Sequence, residues 1–145
     1  MKTVTNQMKL TLAGYSKNEG LARMCVSAFA AQLDPTIEEI NDIKAAVSEA
    51  VTNCIVHGYP DCIGDIEIKL RILDDDTLYI RISDKGVGIA DIEQAMQPMF
   101  TSAPEDERAG LGFAVMESFT DSLKVRSKPG KGTSVTMTKA LKRRG

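Results

Sequence analysis

The sequence predicts an α/β domain, and three features predict it. An apolar repeat of helical period runs through residues 36–57, on Ile37, Ile40, Ile43, Val47, Val51, Cys54 and Ile55. Two stretches of strict alternation, 65–73 and 77–83, flank the three aspartates Asp74, Asp75 and Asp76, which is the pattern of an antiparallel hairpin. Glycine and proline then punctuate the chain at Gly58 and Pro60, Gly86 and Gly88, and Pro129 and Gly130.

Residues 8–13 alternate Met8, Leu10 and Leu12 with Lys9, Thr11 and Ala13, and read as a first strand at an edge or early position. A first helix over 18–32 carries Leu21, Met24, Cys25, Ala28, Phe29 and Ala31 and closes at Asp34 and Pro35. The long helix follows, capped by Asp34 or Thr36, with Glu38 and Glu39 at the positive end of its dipole. Gly58 and Pro60 end it, because Gly adopts left-handed backbone and Pro cannot continue a helix. His57, the one histidine, reads as a partner of free carbonyls at that end.

After the hairpin, Asp84 leads into Gly86 and Gly88, and a short helix is expected near 91–96. Residues 97–109 hold no clean period, and loops of such length often act as lids. Gly110, Leu111 and Gly112 open a helix with Phe113, Val115, Met116 and Phe119 apolar. Strands at about 123–127 and 134–139 enclose a turn in which Pro129 and Gly130 fit the second turn type.

A length of 145 residues fits one domain, and 43% hydrophobic with 26% charged residues is the balance of a folded soluble protein. A formal charge of -2 argues against direct nucleic-acid binding, which needs a basic footprint. The one basic cluster, Lys139, Lys142, Arg143 and Arg144, reads as a solvated tail. Cys25, Cys54 and Cys62 lack metal-ligand spacing and fit a reducing cytoplasm, with two of them in helical apolar patterns where cysteine acts as a small hydrophobe. No apolar run approaches the roughly 20 residues that cross a bilayer, so no membrane partner is expected.

Three motifs and one arginine could carry chemistry. Glu49 and Asn53, four apart on the long helix, point the same way, opposite the centre of the apolar stripe. A carboxylate there can take a proton and an amide oxygen can bind a hard cation, although alone the pair reads as a solvated helix face. Asp84 can accept from an exocyclic amine such as that of adenine, with Gly86 and Gly88 allowing close approach of backbone. Gly110 and Gly112 before a helix offer amides to phosphates, and Arg108 can meet a terminal phosphate or simply sit at the surface among Glu105, Asp106 and Glu107.

The order Glu49-x-x-x-Asn53, Asp84-x-Gly86-x-Gly88, Gly110-Leu111-Gly112, Gly132-Thr133 resembles the nucleotide-binding boxes of the GHKL superfamily. Two runs, Ser-Glu-Ala-Val-Thr-Asn-x-x-x-His-Gly-Tyr from Ser48 and Glu-Arg-x-Gly-x-Gly-Phe from Glu107, make the chain similar to the anti-sigma-factor serine kinases of that superfamily, from residue 8 to about 138. The resemblance implies a two-layer α/β sandwich with a mixed, mostly antiparallel sheet covered on one face by helices, and an ATP lid. It also implies ATP/ADP and magnesium (Mg2+) as cofactors. Glu49 would be the base toward an attacking serine hydroxyl and Asn53 the magnesium ligand. Asp84 would read adenine, with Gly86 and Gly88 on the adenine side and Thr133 closing the pocket. Gly110, Leu111 and Gly112 would line the phosphates, and Arg108 would contact the terminal one.

The same resemblance implies an RNA polymerase sigma factor and an anti-anti-sigma protein substrate as partners, and a homodimer. The first strand and first helix, with Arg23, are the candidate partner surface. Stress-response relatives share these boxes. A histidine-kinase catalytic domain or a GHKL ATPase is the other enzymatic reading; against the first, the sole histidine lies inside the nucleotide helix, and against the second, the extra domains that would use hydrolysis are lacking. A sigma-binding protein merely gated by nucleotide is the non-enzymatic one.

Overall fold

The computed structural model describes residues 2–89 and 112–141. Five strands form one sheet: β1 (Val4–Ala13), β2 (Asp65–Leu73), β3 (Thr77–Asp84), β4 (Ser122–Lys128) and β5 (Gly132–Ala140). Their spatial order is β1-β2-β3-β5-β4, and every pairing is antiparallel, so the expected mixture contains no parallel pair among the described strands. β1 is an edge strand, as its position in the sequence suggested. It begins four residues earlier than the alternation did, because residues 4–7 are all exposed and show no period.

Alternation explains which face is covered. Ile66, Ile68 and Leu70 of β2, Ile80 and Ile82 of β3, and Val135 and Met137 of β5 point one way and are buried. Among the described residues three helices cover that face: α1 (Asn18–Ala30), α2 (Ile37–Asn53) and α3 (Gly112–Phe119). Val26, Phe29, Ile43, Val47, Val51 and Met116 supply the helical half of the core. Each such side chain contributes about 1.5–3 kcal/mol through burial, and this outweighs local propensity in holding two layers together.

Local chemistry sets the helix ends. Asp34, at φ 50°, breaks the chain after a 3-10 turn, Ala31–Leu33. Thr36 rather than Asp34 caps α2, in a reciprocal box: its hydroxyl accepts from the Glu39 amide at 3.0 Å, and its own amide donates to Glu39 Oε1 at 2.8 Å. Beyond Asn53 the helix widens into one π-helical turn, Cys54–Gly58. Such turns cluster at functional sites, and this one carries Gly58 toward the end of β3.

The aspartate turn is a hairpin tip. Asp76 takes positive φ (62°), Asp75 accepts from the Thr77 amide, and Lys2 pairs with Asp75 at 3.1 Å. At the other hairpin Gly130 has φ 75°, as the third residue of a type II turn requires. Lys139 departs from the solvated-tail reading. It lies in β5, only 13% exposed, bridging Asp42 of α2 at 3.4 Å and donating to the Phe119 carbonyl at 3.1 Å. Lys142, Arg143 and Arg144 lie outside the described residues.

Candidate functional site

Glu49 and Asn53 sit one turn apart on α2 and face the first residue of α3. A Cβ placed on Gly112 would stand 3.1 Å from Asn53 Oδ1 and 3.4 Å from Glu49 Oε2. Glycine therefore lets the start of α3, where backbone amides lack helical partners, come up against a carboxamide and a carboxylate. Glu49 is only 9% exposed, so the solvated-face alternative does not hold for it. The reason is tertiary: α3 packs over the side of α2 that the apolar stripe leaves polar.

Asp84 ends β3 beneath the π-helical turn. Its Oδ1 accepts from the Gly86 amide at 2.8 Å and from the Thr133 amide at 3.3 Å. Its other oxygen faces Gly58, where a Cβ would come to 2.7 Å. Gly86 abuts Gly58 still more closely, since a Cβ on it would meet the Gly58 carbonyl oxygen at 1.9 Å. Gly88, at φ 77°, packs against the Lys128 carbonyl, and the Ile89 amide donates to Ser127 Oγ, which lies 2.8 Å from Thr133 Oγ1. Asp84, Gly86, Gly88 and Thr133 are thus brought together, as one corner between α2 and the last hairpin.

Arg23 lies apart from that corner but not from Glu49. A cleft of about 390 Å³ between α1 and α2 is lined by Arg23, Met24, Lys44, Ala45, Ser48 and Glu49. Ser48 Oγ hydrogen-bonds the Glu19 carboxylate, which Arg23 approaches to 3.8 Å, so one acidic side chain ties both helices at the cleft. Leu21 and Met24, 50% and 60% exposed, put apolar surface beside it. Arg108, Gly110 and Leu111, with the short helix expected at 91–96 and the loop at 97–109, lie outside the described residues.

Cys54, expected as a small core hydrophobe, is buried but is also a polar neighbour of the site. Burial pushes its thiol well above the ordinary 9.0, and the charge of Asp84 and the thiol's hydrogen bond to that carboxylate add to the shift. Tyr59 completes the corner by donating to the Asp65 carbonyl and accepting from the Lys85 amide, both at 2.7 Å. Its phenol is likewise raised, first by burial. An unfolded chain releases these protons sooner than the folded one, so stability falls as pH rises past the ordinary thiol value.

At pH 8, iodoacetamide should modify exposed Cys62 first and buried Cys54 about 100-fold more slowly, as read by mass spectrometry of the native chain. Equal rates would remove the burial argument. Among the described residues no group of His, Cys, Asp and Glu has the arrangement of a metal cluster, and no described helix is long and apolar enough to cross a membrane.

A helix N-terminus against an amide and a carboxylate, with a second carboxylate fixed by backbone amides, is the frame of a nucleotide-binding α/β domain. The model of the histidine kinase-like ATPase domain matches residues 16–139. The anti-sigma F factor of Thermoanaerobacter sp. (strain X514) is 60% identical over 137 residues, covering 94% of this chain and 95% of that protein. That of Clostridium acetobutylicum is 52% identical over 134 residues, covering 92% and 93%. The chain belongs to the anti-sigma F factors, within the histidine kinase-like ATPase domains.

Solved structures agree on the fold. The crystal structure of the RsbU and RsbW domains of Rv1364c from Mycobacterium tuberculosis superposes with a TM-score of 0.71 at 21% identity, over 97% of this chain and 34% of that one. The sensor histidine kinase MprB of a mycobacterium gives a TM-score of 0.59 at 15% identity, over 94% of this chain and 100% of that one. At these identities the likeness is one of fold alone.

Proposed function

We propose that this chain is an ATP-dependent protein serine kinase that also binds and inhibits a sporulation sigma factor of RNA polymerase. Its substrate is a serine of an anti-anti-sigma partner, and residues 1–145 act as one ATP-binding unit in the cytoplasm. The observation that carries this reading is the placement of Glu49. It faces the start of α3 together with Asn53, and it also lines the cleft that opens between α1 and α2. A base so placed is within reach of a protein hydroxyl from one side and of a nucleotide from the other.

The residues present fit a magnesium nucleotide. Gly112 leaves a cradle that a Cβ would fill, Asn53 Oδ1 is the kind of neutral oxygen a hard cation accepts, and Asp84 is held by two amides with its second oxygen directed elsewhere. When bound, that group supplies the terminal phosphoryl, with ADP as the leaving group. Glu49 accepts the serine proton, Asn53 holds the metal, and Asp84 selects adenine. The sequence motif assigns Gly110 and Leu111 to the phosphates and Arg108 to the terminal one.

Partner binding falls to α1 and the cleft. Arg23 supplies a cation beside the exposed Leu21 and Met24, a mixture typical of protein interfaces. Among the described residues β1 pairs only with β2, so its outer edge is available to a second copy, which supports a homodimer. Incubation with magnesium, terminally labelled ATP and candidate anti-anti-sigma proteins should yield labelled phosphoserine on the true partner. Sigma-factor binding that responds to nucleotide, with no label transferred to any partner, would instead favour the nucleotide-gated binding protein.

A further inference from the structure

The sheet face that the described helices leave bare is a basic surface, although the formal charge is -2. Side chains of β1 to β5 that point away from the core meet in rows fixed by register. One row crosses all five strands as Lys9, Lys69, Arg81, Thr136 and Lys124, each directly opposite the next. Arg71 and Arg126 stand in the two adjacent rows, opposite Tyr79 and Ser134. Glu67 is the acidic side chain among these rows, and it is paired with Lys9 at 3.4 Å.

Such a row has a cost. Like charges directly opposite on neighbouring strands, as in Lys9 with Lys69 and Lys69 with Arg81, destabilise a sheet. An ordinary solvated face interleaves signs and avoids it. The relief here is partial: Lys9 has Glu67, Arg81 Nε donates to Ser134 Oγ at 2.9 Å, and the Arg71 guanidinium lies 5.1 Å from the centre of the Tyr79 ring. Lys69 and Lys124 remain between other cations or at the sheet margin.

We propose that this face is a docking surface for a carboxylate-rich protein segment, separate from the nucleotide corner and from the α1–α2 cleft, which lie on the opposite side of the sheet. Charge complementarity names the occupant. A second copy of the chain meeting this face through a two-fold axis would set cations against cations. A single-stranded nucleic acid would need aromatic platforms for its bases, and the one aromatic on these rows, Tyr79, is already covered by Arg71. Strands are spaced about 4.8 Å apart, so Lys9, Lys69 and Arg81 match carboxylates one helical turn apart on an acidic helix, and Lys124, two strands beyond Arg81, matches one two turns further on.

The test uses the full chain and two helical peptides of about 20 residues, identical in glutamate content, one with the glutamates in a single line and one with them spread around the helix. The aligned peptide should bind more tightly, with affinity falling steeply as salt is raised. The double variant Lys69→Glu, Arg81→Glu should weaken it by about tenfold or more. Lys44→Glu, in the cleft, should leave it unchanged. Nucleotide affinity and melting temperature report the folding of each variant. Equal binding of the two peptides, unchanged binding by the double variant, or tighter binding of a single-stranded RNA of equal charge would overturn the proposal.

Discussion

Replacing Glu49 by Gln should lower phosphoryl transfer to the partner serine by about 10²- to 10⁴-fold, while ATP affinity stays within about threefold of the parent chain. The substitution keeps the shape of a side chain that is only 9% exposed and sits against Gly112, so packing of α3 on α2 is retained. What disappears is the proton acceptor. Asn53, one turn further along α2, and Asp84, at the end of β3, are untouched, and these are the groups assigned to metal and adenine. Single-turnover transfer of labelled phosphate, set beside a nucleotide titration, separates the two effects. A loss below about tenfold would assign Glu49 to positioning, since transfer with little covalent character depends more on alignment than on an acceptor. Wild-type transfer would remove Glu49 from the reaction altogether.

Much of the architecture was legible because it rests on periods that sequence displays. Alternation in 65–73 and 77–83 gave both strands of the central hairpin, and Pro129 with Gly130 gave a turn whose glycine does take positive φ. The long apolar repeat gave α2, and its polar side gave Glu49 and Asn53 a common direction. That Glu49 would be enclosed was not legible, because enclosure comes from α3, more than sixty residues away. Cys54 continues the helical period, so nothing local marks the widening into a π turn or the approach to Asp84.

Register is the other quantity that local pattern hides. Lys139 read as part of a terminal basic cluster, yet its partner Asp42 lies 97 residues earlier, and only the placement of β5 beside β3 brings them together. The basic row follows the same logic. Lys9, Lys69, Arg81 and Lys124 are unremarkable as isolated outward residues of four strands. Their alignment depends on four separate strand pairings, none of which a period of two specifies.

Gly86→Ala should lower the melting temperature by about 10 °C, equivalent to about 3 kcal/mol in a domain of this size, and weaken nucleotide binding by more than about tenfold. An added Cβ would stand 1.9 Å from the Gly58 carbonyl oxygen and 2.4 Å from its carbon, and both are backbone atoms that cannot turn aside as a side chain would. Two hydrogen bonds straddle the contact. The Gly86 amide holds Asp84 Oδ1 at 2.8 Å, and the Val87 amide holds the Gly58 carbonyl at 2.9 Å, so separating the segments to admit a methyl pulls on both. Asp84 would then lose one of the two amides that orient it, which links the stability loss to the binding loss. Gly130→Ala is the matched control: it also replaces a turn glycine, at φ 75°, but its Cβ would meet nothing within 4 Å. Its cost is the backbone strain alone, about 1 kcal/mol, with nucleotide affinity unchanged. Should Gly86→Ala melt no lower than Gly130→Ala, the close approach of the π turn to the glycine loop would not be what holds the Asp84 corner in place.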